Sequence, residues 1–215
     1  MGKETAVSTL FWDVDTQYDF MHADGKLYVT GSEEIIPVLQ RLTRHAHRNG
    51  IRILASADDH VPGHRELSEA PDWKQTFPEH CMRGTPGQRK IAETHLRNPM
   101  VIEPEPRDPV ELAAEVRAHD GDILFHKHWF DVFTNPNLLP VLDALGPDRV
   151  ILYGVALDVC DKYAIEGLLA HRPGLPITLV TDAVRAIDAD AAPALLSDWE
   201  RRGVRLATST EVLAA

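Results

Sequence analysis

Short apolar runs, rich in β-branched and aromatic residues, alternate along the chain with stretches whose apolar positions recur at helical spacing. Ser8 to Val14 reads as a first strand. Ser32 then offers an N-cap, Glu33 and Glu34 fill the first turn, and Ile35, Ile36, Val38, Leu39 and Leu42 form the inner face of a helix that stops at Gly50. Ile51 to Ala57 is a second strand, Met100 to Glu103 a short one, and Gly121 to Phe125 another. Pro109 to His119 and Leu138 to Leu145 read as helices, the second ended by Gly146-Pro147. Val150 to Tyr153 is a buried strand broken at Gly154. A helical run starts near Asp158, with Ala164, Ile165, Leu168 and Leu169 on one face. Pro176 to Thr181 (strand), Ala189 to Arg202 (helix), Val204 to Thr208 (strand) and Ser209 to Leu213 (helical turn) close the chain.

Strands separated by helices at these distances imply right-handed βαβ units, and hence a parallel sheet covered on both faces. The expected fold is a single α/β domain over residues 1–215, three layers deep (α/β/α), with a mostly parallel sheet of about six strands. The sequence shows no internal repeat, low-complexity tract or linker to divide it.

Composition narrows the function. With 44% hydrophobic and 26% charged residues in 215, the chain reads as an ordinary globular protein. A net charge of −11 argues against a nucleic-acid partner, and no apolar run approaches a membrane span. The opening Met1-Gly-Lys-Glu-Thr-Ala6 lacks the apolar core of a secretory signal, and Ala6 breaks the myristoylation pattern. Cys81 and Cys160 are too few for a disulfide framework, so a cytoplasmic location is expected.

In parallel sheets, sites form beyond the carboxyl ends of the strands. That rule selects Asp13 to Asp19, Asp58 to His64, His126 to His128 and Asp158 to Cys160, the stretches that also carry the chemistry. Cys160 falls where a strand turns into the first turn of a helix. There, free N–H groups and the helix dipole favour a thiolate and can hold an oxyanion. A lone Cys is more often simply packed, and an isolated loop Asp or strand-end Lys is more often solvated. Their joint placement favours a nucleophile assisted by Asp15 or Asp13 as base and by Lys127. Asp58 and His60, two apart on extended chain, point the same way, and His64 and His80 add imidazoles from the same irregular loop. Nitrogen and oxygen donors without thiolate suit one divalent ion: zinc first, with manganese or iron as alternatives. Cys81 reads as packing. The loop from Asp58 to Gln88, with four prolines and three glycines, is long enough to be functional.

Five motifs then resemble one family. Asp15-Thr-Gln-Tyr-Asp-Phe20, Asp58-Asp-His60-Val-Pro-Gly-His64, Phe77-Pro-Glu-His80-Cys-Met-Arg-Gly-Thr-Pro-Gly87, Lys127 after its strand, and Gly154-Val-Ala-Leu-Asp-Val-Cys160 are similar to those of nicotinamidases (pyrazinamidases) among the isochorismatase-like cysteine hydrolases. Leu27-Tyr-Val-Thr-Gly31 and Val180-Thr-Asp-Ala183 fit as well, and the resemblance spans nearly the whole chain. It implies the isochorismatase-like hydrolase fold, a triad of Asp15, Lys127 and Cys160, and metal ligands Asp58, His60 and His80. His64 is left between direct ligand and outer position. It also implies a cis peptide at Val155–Ala156, oxyanion donors on Ala156 and Cys160, and substrate contacts from Phe20, Phe77 and Val159. The implied reaction is hydrolysis of nicotinamide to nicotinate and ammonia through a Cys thioester, in a homo-oligomer. Another small amide (ureido, carbamoyl or maleamic) is the alternative substrate, vinyl-ether cleavage of the isochorismatase type is a weaker one, and a non-catalytic metal-holding protein is the other class. Departures from the family pattern occur at Phe77, Asp131, Val159 and Asp161. Asp161, beside the thiol, is expected to point outward or to cap the helix.

Overall fold

The computed structural model describes residues 8–214. The segment Met1 to Ala6, read above for leader and lipidation signals, lies outside them. Seven strands form one parallel sheet in the order β3-β4-β2-β1-β5-β6-β7. They are β1 (Thr9–Val14), β2 (Arg52–Asp58), β3 (Met100–Ile102), β4 (Ile123–Lys127), β5 (Arg149–Val155), β6 (Ile177–Arg185) and β7 (Arg205–Ala207). β1 and β5 are buried along nearly their whole length, as strands covered on both faces must be.

A short α1 (Tyr18–Met21) follows β1. α2 (Ser32–Arg48) leads from β1 to β2 and shares a sheet face with α7 (Ser209–Leu213). α3 (Pro109–Ala118), α4 (Leu138–Leu145), α5 (Cys160–His171) and α6 (Ala192–Arg201) follow crossovers in the opposite direction, so right-handed connection puts them on the other face. The three layers follow. Trp12 of β1 and Trp199 of α6 are fully buried between them. Local chemistry sets several ends. Asp108 caps α3 through the Val110 and Glu111 N–H groups, Thr208 and Glu211 form a capping box on α7, and Gly146 closes α4 in a left-handed conformation. Among the described residues no helix is long and apolar enough to cross a membrane.

Two boundaries differ from expectation in a way that matters. β6 runs on to Arg185, four residues beyond the expected end, after a register shift opposite Gly154. α5 begins at Cys160 itself rather than near Asp158. The chain leaves β1 in one direction and β5 in the other, so a crevice opens between their carboxyl ends.

Candidate functional site

β1 ends at Val14, and Asp15 takes a left-handed backbone conformation (φ 48°) that turns its carboxyl group under the sheet end. Ser56 of β2 donates to Asp15 Oδ1 at 2.6 Å. Lys127, last residue of β4, is fully buried. Its Nζ lies 2.9 Å from Asp15 Oδ2, donates to Asp58 Oδ1, and is 3.7 Å from Cys160 Sγ. Asp15, Lys127 and Cys160 thus meet from three different strand ends. Asp13, the other sequence candidate, faces elsewhere: Thr16 donates to it at 2.8 Å and Lys90 pairs with it at 3.0 Å.

Burial sets the protonation tendencies. It pushes the Asp15 carboxyl up, partly offset by Lys127. It pushes the Cys160 thiol well up too, again only partly offset by Lys127. Burial alone would lower Lys127, but Asp15 and Asp58 outweigh it and keep the ammonium charged. Burial thus favours the protonated forms of Asp15 and Cys160, and the Lys127 cation opposes it at both.

Asp58, at the end of β2, turns its second oxygen to a separate group. Asp58, His60, Glu66 and His80 bring one ligand atom each within 4.8 Å of one another. His80 Nε2 is 3.6 Å from Asp58 Oδ2 and 3.6 Å from Glu66 Oε1. His60 Nε2 is 3.8 Å from Asp58 Oδ1 and 3.9 Å from Glu66 Oε2. Asp58 Oδ2, His60 Nε2, Glu66 Oε2 and His80 Nε2 are buried without a hydrogen-bond partner, although buried polar atoms are normally satisfied. His80 Nδ1 donates to the Pro78 carbonyl at 2.7 Å, which leaves the Nε2 lone pair facing the group. Burial lowers His60 to about 4, keeping it neutral. Burial also disfavours a charged His80, but the facing Asp58 and Glu66 carboxylates prevail and raise it to about 9, favouring a proton on Nε2 that a bound cation would replace. Two carboxylates at the centre of this ring call for positive charge, and two imidazoles and two carboxylates fit a divalent ion.

The loop carrying these groups is held from outside. The Gln17 side chain pairs with the Asp58 backbone in both directions, accepting from its N–H at 2.7 Å and donating to its carbonyl at 2.8 Å. Asp19 accepts from the Cys81 N–H at 2.7 Å. It lies so close to Gly87 that a Cβ there would meet the carboxylate at 2.2 Å. Cys81 itself is buried packing, as expected.

Cys160 and three of the four ring groups, Asp58, Glu66 and His80, line one narrow pocket together with Phe20, Phe77, Leu27, Val29, Ala156, Val159 and Ile187, whereas Asp15, Lys127 and His60 do not line it. The Val155–Ala156 peptide is cis. The Ala156 carbonyl accepts from the Val159 and Asp161 N–H groups at 3.0 Å each, while the N–H groups of Ala156 and Cys160 have no backbone partner.

The sequence profile of the Isochorismatase domain matches residues 10–211. The chain belongs to the isochorismatase family. Within that family it is similar to the nicotinamidase/pyrazinamidase of Mycobacterium tuberculosis (strain ATCC 25618 / H37Rv), 28% identical over 200 residues that cover 92% of this chain and 97% of the relative. Among solved structures it superposes on the pyrazinamidase of Pyrococcus horikoshii in complex with zinc (TM-score 0.73, 24% identity, covering 94% of this chain and 99% of that one). It also superposes on the nicotinamidase of Bacillus subtilis (TM-score 0.72, 18% identity, 94% and 99%) and on the N-carbamoylsarcosine amidase of Thermoplasma acidophilum (TM-score 0.70, 23% identity, 94% and 97%). At these identities the likeness is one of fold.

As an isochorismatase-family site, it adds to the sequence reading at Glu66, His64 and Asp131 and corrects it at Asp161. Glu66 was missed: a single Glu in an irregular loop has no periodicity to mark it, and only the tertiary course of the chain brings it to His80. His64 lies outside the four-group ring, its Nδ1 3.2 Å from the Nδ1 of His60. Asp131 caps a short turn by accepting from the Phe133 N–H at 2.9 Å. Asp161 neither points outward nor caps. It is fully buried, with both carboxyl oxygens unpartnered. Because α5 starts at Cys160, Asp161 falls on the stripe of Ile165 and Leu168, the face that packs on the sheet. Burial, reinforced by Asp15, pushes its carboxyl pKa well above the ordinary range.

Proposed function

We propose that this chain is a metal-containing cysteine amidohydrolase that converts nicotinamide and water to nicotinate and ammonia. The observation that carries the reading is one pocket with two chemically distinct walls: Cys160, backed by Lys127 and Asp15, on one, and Asp58, Glu66 and His80 of the group of four orphaned nitrogen and oxygen donors on the other. The relative in Mycobacterium tuberculosis, a nicotinamidase/pyrazinamidase, supports the substrate class.

Asp58, His60, Glu66 and His80 would hold a divalent ion, zinc in first place, which supplies a Lewis-acidic contact for a ring nitrogen. The remaining work falls to the chain's own residues. Phe20, Phe77 and Val159 confine the ring. Asp15 takes the Cys160 proton as Sγ bonds to the amide carbon, and the N–H groups of Ala156 and Cys160 hold the resulting oxyanion. The C–N bond breaks as Asp15 returns the proton to the leaving nitrogen, releasing ammonia and a thioester. Asp15 then takes a proton from water, whose oxygen attacks the thioester; the C–S bond breaks as Asp15 returns that proton to Sγ, and the nicotinic acid released loses its remaining proton to solvent as nicotinate. Lys127 stays charged throughout and stabilises whichever of Asp15 and Cys160 is anionic.

The test is ammonia release from nicotinamide, pyrazinamide and several carbamoyl compounds, with metal analysis of the same preparation. Turnover of nicotinamide, abolished in Cys160→Ala with metal content unchanged, is the expected result. Turnover of carbamoyl compounds alone would replace the substrate. Turnover retained in Cys160→Ala would end the mechanism.

A further inference from the structure

The aliphatic side of the pocket contains one residue at the surface. Ile187, just beyond β6, is 36% exposed, whereas the aromatic and acidic lining residues are buried. An exposed isoleucine alone carries no information. Here, however, two consecutive backbone groups, the N–H of Ile187 and the N–H of Asp188, both donate to the Asp158 carboxylate, at 2.8 Å each. Asp158 sits two residues before Cys160, in the turn between β5 and α5. A second tie joins the same turn to the end of β6: the Leu157 N–H donates to the Arg185 carbonyl at 2.8 Å. The segment carrying Ile187 is thus fastened to the turn carrying the thiol. Two charge-assisted hydrogen bonds fix where the isoleucine side chain stands relative to Cys160.

We propose that Ile187 is a specificity-determining residue at the mouth of this pocket, and that Asp158 is the positioning residue that seats it. Together they limit substrates to rings without a substituent on the edge facing the mouth. The inference rests on the amidohydrolase reading above. Its physical basis is volume: against an apolar wall one added methyl group is discriminated by about 10–200-fold, provided the wall cannot yield. Ile187 supplies the wall, and the Asp158 carboxylate keeps it from yielding. Trimming the side chain, or cutting its tether, removes the same barrier by two routes.

The experiment compares wild type, Ile187→Ala, Asp158→Ala, Asp158→Asn and the Ile187→Ala/Asp158→Ala double variant. It measures kcat/KM for nicotinamide and for 5-methyl- and 6-methylnicotinamide, and calorimetric Kd for the three corresponding carboxylates. In Ile187→Ala the ratio of methylated to plain ligand should rise at least tenfold for at least one ring position, in both kcat/KM and Kd. Asp158→Ala should move the same ratio in the same direction. The double variant should add little to Ile187→Ala, because the tether has nothing left to position. Asp158→Asn keeps one acceptor oxygen and should fall between wild type and Asp158→Ala. Ile187→Ala, at an exposed position, decides the matter if Asp158→Ala fails to fold. Unchanged ratios in Ile187→Ala overturn the proposal. So does an Asp158→Ala variant that loses stability or kcat without shifting the ratio. Wild type that releases no ammonia from any of the three amides would remove the amidohydrolase reading, while the Kd ratios still decide the wall. Failure of wild type to bind any of the carboxylates overturns the wall as well.

Discussion

Lys127 places a full positive charge where no water reaches it, and three groups justify its presence: Asp15, Asp58 and Cys160. It links the Asp15 and Cys160 cluster to the four-donor group through Asp58, which belongs to both. Replacing it by methionine keeps much of the volume but leaves two buried carboxylates without their cation. Breaking a buried ion pair in this way costs about 3–5 kcal/mol. Lys127→Met should therefore lose most of its folding stability in urea titration as well as its turnover; an unchanged midpoint would contradict the arrangement. Glu66 tests the other end. If it belongs to the metal group, Glu66→Gln should weaken metal retention about 10–100-fold, read by competition with a chelator, whereas His64→Ala should have a smaller effect. Asp161 makes a prediction of opposite sign. Its pKa is raised in the folded state, so the fold keeps a proton that the unfolded chain releases above the ordinary carboxylate range. Stability from this residue is present at low pH and falls as pH rises from about 4 upward. Asp161→Asn should be more stable than wild type at pH 8, with the difference shrinking towards pH 4. A constant difference in denaturation midpoint across that range would show that Asp161 is not held protonated.

At the scale of elements, the unit from β5 through its turn into α5 concentrates the constraints. Gly154 has φ 139°, and a Cβ there would come within 2.0 Å of the Val14 carbonyl oxygen. Gly154 faces Val14 in the β1–β5 ladder, so any side chain would wedge apart the two strands whose ends carry Asp15 and Cys160. Gly154→Ala should abolish turnover and lower the thermal midpoint sharply, with strand pairing rather than chemistry at fault. A variant that melts like wild type would refute this. The elements themselves were legible from periodicity, because a strand such as Val150 to Tyr153 and a helix such as α2 announce their faces in the apolar pattern. Ends were less so. The start of α5 is set by the turn geometry around Ala156, which the residue types do not encode locally; the outward direction expected for Asp161 rested on its repulsion of a thiolate, and the helical stripe it shares with Ile165 and Leu168 overrides that.

For the molecule as a whole, the four stretches chosen from sequence at strand ends are the ones the sheet order brings together, because a parallel sheet gathers carboxyl ends on one side. Asp15, Asp58, Lys127 and Cys160 were therefore findable without any contact being known. Ser56, Glu66 and the Asp158 tether were not. Each acts through a tertiary contact made by a residue type common in any strand or loop. The β1 register has a further consequence, in time rather than in space. β1 precedes the other six described strands in the chain, and it lies at the centre of the sheet, paired on one side with β2 and on the other with β5. On the ribosome it gains its first neighbour early and must wait for the second until most of the chain has emerged. The metal group lies wholly within residues 58–80, so its donors are all present in that incomplete chain, whereas the thiol enters only with α5. The order of synthesis thus delivers all four of these nitrogen and oxygen donors before Cys160, which emerges only once β5, the strand leading into it, is ready to pair with β1.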